Sequence, residues 1–530
     1  MPRTGKAVLV LVFLAGLHHP LPAQFTAWPA FAHDPQHTGI SSTAAQPLTT
    51  IHWHTPVDLN PQSSGGDLLI HYGPPLITAA NTVLVPVKTG ATDNFEIQAF
   101  SGDNGNLLYT LPSDYTLPSH QWIPAYGPVL AARAGVPQAS GSAPHPLESV
   151  RPAHRPTERL YFPGAGGTVY FRDQPDSLTG PTGQIAFFGN ALYASNPAAF
   201  NSSVRISTPL VADAAGNIVF GFVVTGSNPA GLTSGIARIS AHGVGAWTPA
   251  GTFAGSDTTI NHVQLNCAPA LSRDQSTLYF AVSDGAFGTG YLVSANSATL
   301  APIARVRLLD PRGGLATVTD DSSSTPMVGP DGDVYFGVLE NNCCGSHNDR
   351  GWMLHFDATL TQTKIPGSFG WDDTPSVVPS NLVPSYKGGS PYLILTKYNN
   401  YVGEGTGDGL NKLAILDPNA SMQDAWSVTP VQVMREVLTI MGATPDTAAG
   451  LPGAVKEWCI NTAAVDPFTK SAIVNNEDGV VYRWDFTTNT LSQSLRLTSG
   501  RGEAYTPTVI GPDGTAYAIN DAILFAIGAR

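Results

Sequence analysis

The sequence predicts an all-β protein, a single eight-bladed β-propeller of four-stranded antiparallel blades, and three observations carry that prediction. The first is a repeat. "STPMVGPDGDVYFGV" (324–338) and "YTPTVIGPDGTAYAI" (505–519) share Thr-Pro, a short apolar run, Gly-Pro-Asp-Gly and a strand carrying Tyr. Asp-Gly between alternating apolar residues is a strong hairpin signal. The second is its recurrence, anchored at Pro74, Pro128, Pro209, Pro269, Pro326, Pro375, Ala463 and Pro507, which makes eight units. The third is composition. With 54 Gly, 44 Pro, only 12% charged and 42% hydrophobic residues, the chain is rich in turns and apolar enough to fold.

Each element follows in order. The anchor residues open the innermost strand of a unit, and the Asp-Gly turn leads to its second strand. A third strand follows, as in "MLHFDATLTQTKI" and "LAILDPNASMQDAW", and then a fourth. Four antiparallel strands repeated about an axis make a propeller. The last unit supplies only three strands, so "TTIHWHTPV" (49–57) is expected to complete it and remove an exposed edge. In that position His52 and His54 lie on the blade surface. "VQVMREVLTIMG" (431–442) spaces Val433, Val437 and Ile440 at helical intervals and is read as a short top-face helix. Residues 131–159 read as a flexible loop between the first two strands of the second unit.

Residues 1–23 read as a signal peptide: Arg3 and Lys6 precede an apolar run from Ala7 to Leu17, too short to span a bilayer. No later run is long enough to span. Residues 24–530 then form the propeller, a secreted or periplasmic protein expected to be monomeric. A net charge of −13 disfavours nucleic acid and anionic membranes as partners. No CxxC, nucleophile elbow or phosphate loop occurs.

"WPAFAHDPQHTGISS…IHWHTPV" (28–57) resembles the opening of the pyrroloquinoline-quinone (PQQ) repeat-like propellers, the quinoprotein alcohol dehydrogenase-like superfamily. "AFSGDNGNLLYTL" (99–111) is similar to the third-strand signature of that repeat. Most units lack the tryptophan-docking pattern of the dehydrogenases. The resemblance implies the propeller fold. In the dehydrogenases it also implies PQQ over the axis, against a disulfide between adjacent cysteines and near calcium and a catalytic Asp.

Strand order sorts the loops. Turns between the first and second strands lie on one face, called the bottom here. Loops between the second and third strands share the top face with the lead-ins to the inner strands. "NNCCGSHNDRGWM" (341–353) is a top-face loop of the fifth unit, bringing Cys343, Cys344, His347, Asp349 and Arg350. "KYNNYVGEGTGDGLNK" (397–412) is the equivalent loop of the sixth, with Asn399 and Tyr401. The lead-ins add Trp371, Asp372 and Asp373, then Glu457 and Trp458, then Tyr505. Carboxylates, amides and aromatics converging near an axis make a ligand-binding pattern. Glu404 and Asp408 offer oxygens to a hard cation, without EF-hand spacing.

Four cysteines in an exported chain permit disulfides. Cys343 and Cys344 are expected to bond to each other, and the rival arrangement joins them to Cys267 and Cys459.

Three functions compete. A non-catalytic binding or scaffold propeller, taking a small molecule, saccharide or protein on its top face, is preferred because fold does not imply activity. A quinoprotein-type dehydrogenase with PQQ and calcium would use the cysteine pair as a platform, Trp371 as an aromatic face and Asp372 or Asp373 as base. A polysaccharide lyase or hydrolase would draw on His347, Arg350, Tyr401 and Tyr505.

Overall fold

A computed structural model describes residues 28–529 except 65–66, 70–72, 92, 119–125, 134–157 and 501–504. The segment 1–23 and most of 131–159 therefore lie outside the described residues.

Eight antiparallel sheets stand around an axis. The Gly-Pro-Asp-Gly hairpins and the 341–351 and 399–411 loops leave opposite ends of the second strands, as strand order predicts. Those second strands carry the core. Thr82–Lys88, Val334–Val338 and Tyr392–Tyr398 are buried along their whole length, because each blade is covered on both faces by its neighbours. Their near-continuous apolar sequence follows from that covering. The fifth blade is the least regular: Met327–Val328, Val334–Val338 and Trp352–Phe356 pair in order, and isolated bridges from Met353 to Gly367 and Phe356 to Thr363 mark its outer edge.

Closure is as the sequence predicts. Thr50–Pro56 pairs antiparallel with Ile523–Gly528 and completes the eighth blade. Trp53 points inward, stacks on Phe100 and donates its indole N–H to the Gly102 carbonyl at 3.1 Å. His52 and His54 face outward.

The segment before that strand does more than the sequence suggested. Its backbone hydrogen-bonds to inner-strand residues of six blades: Ile77, Leu130, Leu271, Val328, Val377 and Val465. His37 is fully buried within this segment, with Nδ1 2.7 Å from the Pro326 carbonyl. Burial pushes its ring down to about 4, so it is neutral at pH 7. Gly39 has φ +67°, and a Cβ there would lie 2.8 Å from the Ala463 carbonyl oxygen. Both the turn and the close approach require glycine.

One expectation is overturned. Residues 431–442 form no helix; Gln432–Met441 is the outer strand of the sixth blade, paired with Lys412–Gln423. Two register shifts in that pair break the alternation a strand should show, and the remaining spacing imitates a helix. The density of Val, Thr and Ile was the better guide. Among the described residues, no helix is long and apolar enough to cross a membrane.

Candidate functional site

The inner strands start at the top face, and their lead-ins bring charged groups together there. Gly337, in the second strand of the fifth blade, sets one approach. A Cβ on it would sit 1.7 Å from the Gly370 carbonyl oxygen, so its absence lets the Trp371–Asp373 lead-in lie directly on that strand. Ser322 and Ser324 then hold the Trp371 carbonyl by their hydroxyls. Asp372 follows, accepting from the N–H and hydroxyl of Ser323 at 2.8 and 2.7 Å.

Asp372 is also 3.0 Å from Nζ of Lys397, and both side chains are 1% exposed. Burial works against the ammonium, but the Asp372 carboxylate outweighs it and the Lys397 pKa is raised. The ring of Tyr505 lies 5.3 Å from Nζ. Asp373, fully buried, accepts from the Thr396 hydroxyl through Oδ2, and its Oδ1 has no partner. Burial pushes this carboxyl up to about 8, the Asp372 charge adding to the rise and Lys397 opposing it. At pH 7 Asp373 is therefore a neutral acid beside a closed ion pair.

Ser207 Oγ, Asn461 Oδ1 and Thr506 Oγ1, in the lead-ins to the third, seventh and eighth inner strands, are likewise buried without a partner. Unpaired buried polar groups are few in folded proteins, and each calls for an explanation.

The remaining candidates divide into those that face this cluster and those that hold its wall. Asn399 exchanges two hydrogen bonds with the backbone of Trp458, at 2.9 and 3.1 Å, tying the sixth blade to the seventh. Trp458 is fully buried. Tyr401 is partly buried; burial raises its phenol, and Lys397 pulls the other way. Arg350 is 1% exposed; it donates to the carbonyls of Ser368 and Asn399 and lies 4.4 Å from the Tyr398 ring centroid. His347 is fully buried, stacked on Trp352 at 3.8 Å and 3.2 Å from Asp424. Both residues brace the 341–351 loop from within.

Asp349 accepts from the Gly345 N–H at 2.7 Å, and burial raises its carboxyl to about 6. Cys343 and Cys344 form a vicinal pair beside it, and Cys267 and Cys459 are bridged to neither. Glu457 donates its N–H to Glu477 at 2.9 Å. Glu404 and Asp408 are partly buried; Asp408 accepts from Asn400 and the Leu410 N–H. Neither belongs to a cluster of three or more His, Cys, Asp or Glu among the described residues.

Lys397 was missed from the sequence. The signal was a lone Lys closing an apolar run, "YLILTKY".

The Asp373 carboxyl gives a pH prediction. Its folded pKa of about 8 lies above the unfolded value of about 3.9. The fold thus binds the extra proton between these values, and stability falls as pH rises from about 4 to about 8. In Asp373→Asn this component is absent. Urea midpoints at pH 5 and pH 8 should therefore differ less in the variant than in the wild type, and equal differences would reject the assignment.

No family model matches the chain, and no curated protein matches it in sequence. Solved structures do. The quinohemoprotein alcohol dehydrogenase of Comamonas testosteroni superposes with a TM-score of 0.51 at 10% identity, over 94% of this chain and 76% of that one. Quinohemoprotein alcohol dehydrogenase ADHIIG of Pseudomonas putida HK5 gives 0.48 at 11% identity, over 95% and 76%. Saccharomyces cerevisiae Sqt1 gives 0.48 at 10%, over 92% and 100%. At such identities the likeness is one of fold alone, that of an eight-bladed propeller.

Proposed function

We propose that the protein is an exported binding propeller that captures a neutral, hydroxyl-rich small molecule, of saccharide type, at the top-face end of its axis. One observation carries this reading: Asp373 is a buried neutral acid with an unpartnered oxygen, beside an ion pair that is already closed. A neutral acid both donates and accepts hydrogen bonds, which suits hydroxyl groups better than a charged ligand. Trp371, Tyr401 and Tyr505 supply the aromatic surface on which a sugar ring stacks. Cys343 and Cys344, bonded to each other, would stiffen the neighbouring loop.

A quinoprotein-type dehydrogenase is the second reading, favoured by the adjacent cysteines on the top face. The residues do not fit it. Among the described contacts, the cysteine loop leans on Arg312 through Ser346 and on the 400–406 loop through Asn348, and none joins it to Asp372 or Asp373. Asp372 is engaged by Lys397 and is not disposed as a free base or calcium ligand.

Native mass spectrometry of the purified protein, followed by calorimetry with neutral mono- and disaccharides, tests both readings. A retained or titratable sugar whose binding is lost in Asp373→Ala supports the proposal. Retained PQQ with calcium, or sugar binding indifferent to Asp373→Ala, overturns it.

A further inference from the structure

We infer that the protein carries a second ligand site, between the third, fourth and fifth blades, where His262 and Asp320 recognise the O–H or N–H end of a small amphiphilic molecule. The site is a top-face cavity of about 500 Å³, within the range that holds small ligands. Its lining shares no residue with the Lys397–Asp372–Asp373 cluster.

The polar end is built with care. Asp320 follows a two-stranded ribbon, Phe287–Gly288 paired with Val318–Thr319. Its N–H donates to the Ala286 carbonyl at 2.7 Å, and its Oδ1 accepts from the Leu265 N–H at 2.8 Å. Both carboxylate oxygens lie 2.9 Å from Nε2 of His262. A carboxylate only accepts, so Nε2 carries a proton, and in the neutral imidazole Nδ1 is then left as an acceptor. Among the described residues Nδ1 has no hydrogen-bond partner. The side chains are 16% and 7% exposed, so the pair is neither fully solvated nor sealed in.

A purely structural pair, tying two lead-ins together, would need no cavity beside it. Here Val223, Leu232 and Leu265 line the cavity with His262, and all three are buried. With His262 as an acceptor and Val223, Val224, Leu232 and Leu265 lining the cavity beside the polar Thr225, Ser234 and Asn261, the site suits a ligand with a donor group on a largely apolar body. That differs from the hydroxyl-rich ligand assigned to the axis.

The test uses the whole protein and two fluorescent probes of similar size, 2-naphthol and 2-methylnaphthalene. The hydroxyl should give 2-naphthol about a tenfold preference, the value of one hydrogen bond. His262→Phe should abolish the preference, and Thr233→Trp, a change at an exposed position of the lining, should block both probes without touching the core. Asp373→Asn should leave both unchanged, which separates this site from the axial one. Equal binding of the two probes, a preference that survives His262→Phe, or binding that survives Thr233→Trp would overturn the inference, as would the failure of 2-naphthol to bind.

Discussion

Lys397→Met is expected to lower the stability of the fold by about 3–5 kcal/mol, the range for removing one member of a buried ion pair. The penalty comes less from the lost attraction than from what remains. Asp372 stays 1% exposed, and without Lys397 only the Ser323 N–H and hydroxyl oppose the cost of its burial. Methionine keeps nearly the length of the side chain, whose Nζ lies 5.8 Å from the Phe369 ring centroid, so little of the loss is steric. The double variant Lys397→Met/Asp372→Asn removes the orphaned charge and should recover a large part of the stability, because contacting groups are not additive. Chemical denaturation of wild type, both single variants and the double variant closes the cycle. A double variant as unstable as Lys397→Met alone would show that the lysine acts through packing and not through charge.

The ring could be read from the sequence because its signals are local. A Thr-Pro lead-in, an Asp-Gly turn and a Tyr-bearing strand lie within fifteen residues of one another at 324–338, and the blade repeats that unit. Closure could be read by counting, since a three-stranded last unit leaves one strand to be found. The faces of the loops followed from strand order alone. What escaped was non-local. His262 and Asp320 are separated by a whole blade, so their pairing has no sequence spacing to betray it. The lead-in rule that picked out Asp372, Glu457 and Tyr505 in later blades would have found them in "TTINHVQLNCAP" and "TVTDDSSSTP" had it been applied to the fourth and fifth. The helical reading of 431–442 failed for a different reason. Bulges add residues to one strand of a pair, and the period of two is lost where they occur.

Removing residues 1–57 should make the chain aggregate. Two separate losses combine. The backbone of residues 28–39 no longer bonds to the inner strands of six blades, which leaves those strands without partners at the axis. Ile523–Gly528 also loses Thr50–Pro56 and becomes a free edge of sequence ILFAIG, apolar, uncharged and without proline. Such an edge pairs with other chains. Trp53→Ala separates packing from pairing. It removes the indole from Phe100 and from the Gly102 carbonyl but leaves the strand in place, so the protein should keep the oligomeric state of the unaltered chain and lose about 3–5 kcal/mol, as buried aromatic deletions do. Light scattering and denaturation of the two variants distinguish the contributions. A truncated chain with the particle size and the unfolding midpoint of the full-length protein would show that the ring holds without its N-terminal segment.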